Sequence, residues 1–115
     1  MTVQNDPKVF VLEEATIADI HQAMKQGILT CRSLTEMYLK RIEQFDQKGP
    51  ALNAVILVNP RALEIADEMD AALKTKGLIG PLHGIPLLLK DNVDTGDMDT
   101  TGGSLSLKGV RPDDD

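Results

Sequence analysis

The sequence predicts an α/β fold, of which these 115 residues form an opening portion. Three observations carry that expectation. Between residues 16 and 76, apolar side chains recur at helical spacing behind capping residues. Two short runs, 52–58 and 87–90, are apolar almost throughout, as strands buried on both faces are. After the second run, 91–115 carries little regular pattern, apart from a short helical turn expected near Ser104–Lys108.

The elements follow in order. Residues 1–9 read as a flexible polar tail. Thr16 is a good N-cap with Asp19 three residues on, Ile17, Ile20 and Met24 recur behind it, and Gly27 closes the helix. Thr30 caps a second helix expected over 31–47, with Ser33-Leu34-Thr35-Glu36 as an alternative capping box. Its apolar stripe is Leu34, Met37, Tyr38, Ile42 and Phe45, and Gly49-Pro50 stops it. The run Leu52–Val58 is a strand. Asn59-Pro60 then opens a third helix over about 60–76, with Leu63, Ala66, Met69 and Leu73 inward and Gly77 at its end. Residues 78–86 are broken by Gly80, Pro81, Gly84 and Pro86 before the second strand at 87–90.

Two strands do not make a sheet covered on both faces, and a 25-residue structureless end is a poor terminus for a compact domain. The pattern therefore reads as the first third, or less, of a larger α/β domain.

Composition narrows the function. The formal net charge is −6 and aromatic residues make up only 3%. An acidic chain with few stacking side chains is a poor nucleic-acid binder. Cys31 is alone, so no internal disulfide forms, and an inert, partly buried thiol is expected. The apolar runs are far too short to span a bilayer. The N-terminus has no basic flank leading into an apolar core, so no signal peptide is expected and the location predicted is cytoplasmic. His21 and His83 lack partner ligands at metal spacing, so structural histidines and no metal site are expected. No cofactor motif is found: no lysine directly follows the glycines of 94–104, and the carboxylates there would repel phosphate.

The window Gly80-Pro81-Leu82-His83-Gly84-Ile85-Pro86-Leu87-Leu88-Leu89-Lys90-Asp91-Asn92 carries the chemistry. Burial disfavours the ammonium form of lysine, and a neutral lysine accepts a proton. The common alternative is a surface lysine that snorkels to water. The leucines before Lys90, and Asp91 and Asn92 after it, argue for a catalytic base. Asp91 and Asn92 would hold the amine, or serve as ordinary turn residues. Ser104 and Ser106 are the only serines after Lys90. A lysine-activated serine is a known type of nucleophile, but no nucleophile turn surrounds either one.

Taken together, Gly80–Pro86, Leu89–Asn92, Asp94-Thr95, Met98 and Thr100-Thr101-Gly102-Gly103-Ser104 resemble the amidase signature family. The likeness extends upstream through Glu14–Ile20, Leu39–Ile42 and Leu52–Ile56, and covers nearly all of 10–112. It implies that 10–115 is the N-terminal portion of one amidase domain, a mixed β-sheet flanked by helices. It also implies hydrolysis of carbon–nitrogen bonds in small-molecule amides by a Ser–cisSer–Lys triad. Lys90 matches the family's catalytic lysine, and Asp91, Asn92, Thr101 and Ser104 match positions supporting it and its loop. Asp99 stands where the family often has proline, and Gly102 where alanine is common. Both serines of the triad lie further downstream in the family, so this chain alone is expected to be inactive. The alternative is a non-catalytic relative that binds a ligand or complements a missing part.

Overall fold

The computed structural model describes residues 9–115; of the tail expected over 1–9, only Val9 falls among them, and it is exposed. The chain forms α1 (Ile17–Lys25), α2 (Cys31–Arg41), a π-helical turn (Ile42–Gln47), α3 (Ala62–Lys76) and a 3-10 turn (Leu105–Leu107).

Both early helices start on reciprocal caps. Thr16 Oγ1 accepts from Asp19 N while Asp19 returns a bond to Thr16 N. Thr30 and Ser33 do the same at α2, so Thr30 is the cap and the alternative box at Ser33 is not used. Each pair satisfies backbone donors that a helix start leaves open.

The second helix departs from expectation. It is α-helical only to Arg41, and 42–47 widens into π geometry. Asp46 lies at the end of that turn and gives a physical reason for the distortion. Its carboxylate is buried and accepts from Ala54 N at 2.7 Å and Val55 N at 3.1 Å, while its carbonyl accepts from Asn53 N at 2.9 Å. The turn thus ties the end of the helix to the following extended segment. The third helix also begins later than Pro60. Asn59 Oδ1 accepts from Arg61 N at 2.9 Å, a side-chain turn that delays the first helical residue to Ala62.

The three helices share one core of Ile20, Ala23, Met24, Leu29, Cys31, Leu34 and Ala66, with Met69 and Leu73 packed against it. Leu34 and Cys31 are fully buried. Of the apolar stripes expected on the first two helices, Ile17 and Phe45 are exposed instead. Helix α2 packs along α3. Asp70 of α3 reinforces the contact by accepting from Cys31 N at 2.6 Å and Arg32 N at 3.1 Å, placing a negative charge at the positive end of α2.

Among the described residues no strand forms. The runs 52–58 and 87–90, expected as buried strands, join no ladder; the N–H groups of 52–55 bond back to Phe45 and Asp46 instead, and Asn53 sits at φ +54°. Leu87, Leu88 and Leu89 are 66%, 80% and 54% exposed. A strand needs a ladder partner for its N–H and C=O groups, and these segments find none here. The radius of gyration is 16.1 Å, against about 13 Å for a compact domain of this size. The chain is therefore an ordered helical layer joined to an open, extended one.

Candidate active site

An open apolar trough of about 2140 Å³ separates the two layers. It is floored by 54–58 and 85–89, with Tyr38, Phe45 and Ile65 on its helical side. Substrate pockets run to roughly 300–1,000 Å³, so the trough is larger than a single small ligand needs. Lys90, Asp91 and Asn92 lie on its wall.

Lys90 closes the second extended segment. Its carbonyl accepts from Val93 N at 3.0 Å, which turns the chain sharply after it. Its side chain is exposed, so the burial expected of it is absent among the described residues. No hydrogen bond or ion pair of the described residues reaches its Nζ. Neither Asp91 nor Asn92 holds the amine; Asn92 is exposed on the turn.

Asp91 turns away from Lys90 and gathers the loop downstream. Its carboxylate accepts from Thr101 N at 3.0 Å, from the Thr101 hydroxyl, and from Gly103 N at 3.4 Å. Its carbonyl accepts from Gly102 N at 2.7 Å. The Thr101 hydroxyl and then the Thr101 N–H hold the Asp91 carboxyl below its usual range, since bonds to the charged form favour it. Thr101 Oγ1 also accepts from Gly103 N at 3.1 Å. Gly102 and Gly103 sit at φ +59° and +78°, which lets two successive N–H groups turn toward Asp91.

The structure therefore brings the side chains of Asp91 and Thr101 together and leaves that of Ser104 apart. Ser104 caps the 3-10 turn, shares a 2.8 Å contact with Ser106 Oγ, and lies outside the trough lining. No group of three His, Cys, Asp or Glu side chains is placed to hold a metal ion among the described residues. None of their helices is long and apolar enough to cross a membrane.

His83 carries structure. Its Nδ1 accepts from Ile79 N at 3.3 Å and its Nε2 donates to the Met69 carbonyl at 3.0 Å, which assigns the neutral Nε2–H tautomer. His21 Nε2 donates to the His83 carbonyl at 2.9 Å. Together they tie the 79–84 turn to α1 and α3. Sequence reasoning missed Asp46, the anchor of the first extended segment. A lone aspartate at the end of a helix gives no sign that it will fold back onto backbone donors eight residues on.

The Amidase family model matches residues 33–115. The chain belongs to the amidase signature family. A protein of Schizosaccharomyces pombe named as an amidase is 45% identical over 100 residues, which are 85% of this chain and 16% of that protein. A glutamyl-tRNA(Gln) amidotransferase subunit from Halorhodospira halophila is 43% identical over 101 residues, 87% of this chain and 20% of its own. Native peptide amidase from Stenotrophomonas maltophilia superposes with a TM-score of 0.87 at 49% identity, over 92% of this chain and 22% of that one. The chain thus spans about a fifth of the length of these relatives, and its fold is the matching part of the amidase signature fold.

Proposed function

We propose that these residues supply the lysine of a Ser–cisSer–Lys amidase, with the two serines and the rest of a mixed sheet contributed by residues beyond these 115. The observation carrying this reading is the position of Lys90. It ends an extended apolar segment on the wall of the trough, immediately before a loop held by a carboxylate. The exposed leucines at 87–89 and the backbone of 56–58, which makes no hydrogen bond among the described residues, fit segments that pair with further strands.

In this reading the Lys90 amine accepts a proton through the bridging serine. The nucleophilic serine oxygen then bonds to the amide carbon, and backbone N–H groups stabilise the oxyanion. Collapse breaks the C–N bond, and the nitrogen leaves carrying the proton that Lys90 held. Water then cleaves the acyl ester and regenerates the serine. Water exclusion favours the neutral form of an amine, and covering the trough would supply it. The substrate is a small-molecule amide, and the pocket walls that select it lie mainly outside these residues.

The test is Lys90→Ala in the product of the full reading frame, assayed for amine release from an aryl amide beside the purified 115-residue chain. A folded variant with activity down by at least about a thousandfold, as loss of a triad member gives, and a silent short chain are expected. Wild-type turnover in the variant would remove Lys90 from the mechanism. Robust turnover in the short chain would put the nucleophile within it, with Ser104 and Ser106 the suspects.

A further inference from the structure

We propose that Asp91 is the positioning residue of Lys90, acting through Thr101, an inference that rests on the reading of Lys90 as the proton acceptor. The adjacent carboxylate of a catalytic lysine would ordinarily be taken for its ion-pair partner. The geometry gives it a different task. No bond runs between Asp91 and Lys90 Nζ; every bond of the Asp91 carboxylate goes forward to Thr101 and Gly103.

The two sides of Lys90 differ in how they are held. Upstream, Leu87, Leu88 and Leu89 are exposed, and no backbone hydrogen bond between described residues fixes 86–90 through its N–H groups. Downstream, the Lys90 carbonyl accepts from Val93 N at 3.0 Å and the Asp91 carbonyl accepts from Gly102 N at 2.7 Å. The carboxylate then closes a ring across ten residues onto the Thr101 hydroxyl and N–H. Thr101 is the keystone of that ring, because its hydroxyl donates to Asp91 and accepts from Gly103 N at 3.1 Å. The peptide bearing Lys90 is thus fixed from one direction only.

One bond ties the loop so closed to the residues that lead into α3: Asn59 Nδ2 donates to Asp97 Oδ2 at 2.7 Å. Within the loop, Thr100 N donates to the Val110 carbonyl at 2.9 Å. Asp91 therefore transmits the position of this framework to the peptide link of the lysine. A misplacement of about 1 Å in a reacting group lowers rate by about a hundredfold, which sets the scale expected for losing the clamp.

The experiment measures kcat and KM for aryl-amide hydrolysis in the product of the full reading frame. The variants are Asp91→Asn, Thr101→Val, Thr101→Ser, the Asp91→Asn/Thr101→Val double, and Lys90→Ala as reference. Circular dichroism and thermal melting quantify the folded fraction of each. Asp91→Asn and Thr101→Val are each expected to lower kcat per folded molecule by about ten- to a hundredfold with KM within about twofold. Thr101→Ser, which keeps the hydroxyl, is expected to restore kcat to near the wild-type value. The double variant is expected to lose no more than the worse single one, since both break the same clamp.

Wild-type kcat in Asp91→Asn, or fully additive losses in the double variant, overturns the proposal. So does a loss that merely tracks the folded fraction, which would make the clamp purely structural. Unimpaired Lys90→Ala marks a different failure, that of the underlying lysine assignment. If Asp91→Asn fails to fold, the Thr101→Val and Thr101→Ser pair decides, and equal kcat in that pair counts against the proposal.

Discussion

The helical layer and the extended layer are built by different rules. Residues 17–76, apart from the 52–58 run, settle their own needs. The starts of α1 and α2 carry reciprocal caps, the apolar stripes converge on Leu34 and Cys31, and Asp70 accepts from backbone donors at the start of α2 that would otherwise be open. Residues 87–89 and most of 52–58 are as apolar, yet keep their side chains in water. Hydrophobicity therefore specifies burial only when a second surface is within reach. A helix closes its own hydrogen bonds and needs a partner for one stripe, whereas a strand needs partners at both edges and both faces.

Cutting one leucine from each layer puts this contrast at greatest risk. Leu34→Ala in the 115-residue chain removes a fully buried side chain and is expected to destabilise it by about 2–5 kcal/mol, the usual range for leucine truncation in a packed core. Leu88→Ala, at a residue 80% exposed, is expected to stay within about 0.5 kcal/mol, as surface changes do. Urea denaturation of both variants checks this. Similar losses would mean that 87–89 is packed in solution and that the two layers are not distinct.

The seam between the layers gives the next effect. Gly84 has φ +70°, and a Cβ built there would lie 2.4 Å from Cys31 Sγ and 3.4 Å from the Met24 methyl. Its neighbours are core atoms of α1 and α2, so relief requires moving the helices. Gly84→Ala combines backbone strain with overpacking and is expected to cost about 1–3 kcal/mol. Gly80→Ala is the control, because nothing lies within 4 Å of its added Cβ. The midpoint difference between these variants measures how firmly the 79–84 turn is locked to the helices, and no difference would detach that turn from the helical layer.

What the sequence disclosed follows the same division. The caps at Thr16 and Thr30, the inward Ala66, Met69 and Leu73, the stop at Gly77 and the short turn near Ser104 are local signals, read from residues three or four apart. The π turn after Arg41 was not legible, because its cause is Asp46 reaching Ala54 and Val55. The strands at 52–58 and 87–90 were read from apolarity alone, and no ladder partner for them lies among the described residues. At the candidate site, Lys90, Asp91, Asn92 and Ser104 stand out from the local pattern and again from the family motifs, and Thr101 from the motifs alone. Motif matching groups them equally; the geometry separates Asp91 and Thr101, whose side chains bond to each other, from Asn92 and Ser104, whose side chains take no part in that bond. Ring closure over ten residues depends on glycine φ values and loop path, which no spacing rule encodes.

Cys31 offers a smaller probe of the same division, because its thiol reports on the helical layer from inside it. Burial first, and the Asp70 carboxylate second, push the thiol up from 9.0 to about 12. Both causes disfavour the thiolate, so the native chain should resist alkylation by iodoacetamide at about pH 8 while the urea-unfolded chain reacts freely. The sign of the linked stability follows from the raised value. The native state holds this proton more tightly than the unfolded state, so the contribution is fully present below pH 9 and is lost as pH rises from there toward about 12. Cys31→Ala removes that titration. Its midpoint deficit relative to wild type should therefore be constant from about pH 6 to 8 and shrink by about pH 10. Rapid labelling of the folded chain, or a deficit that does not shrink, would mean that the helical layer opens at α2 and shares the looseness of the extended one.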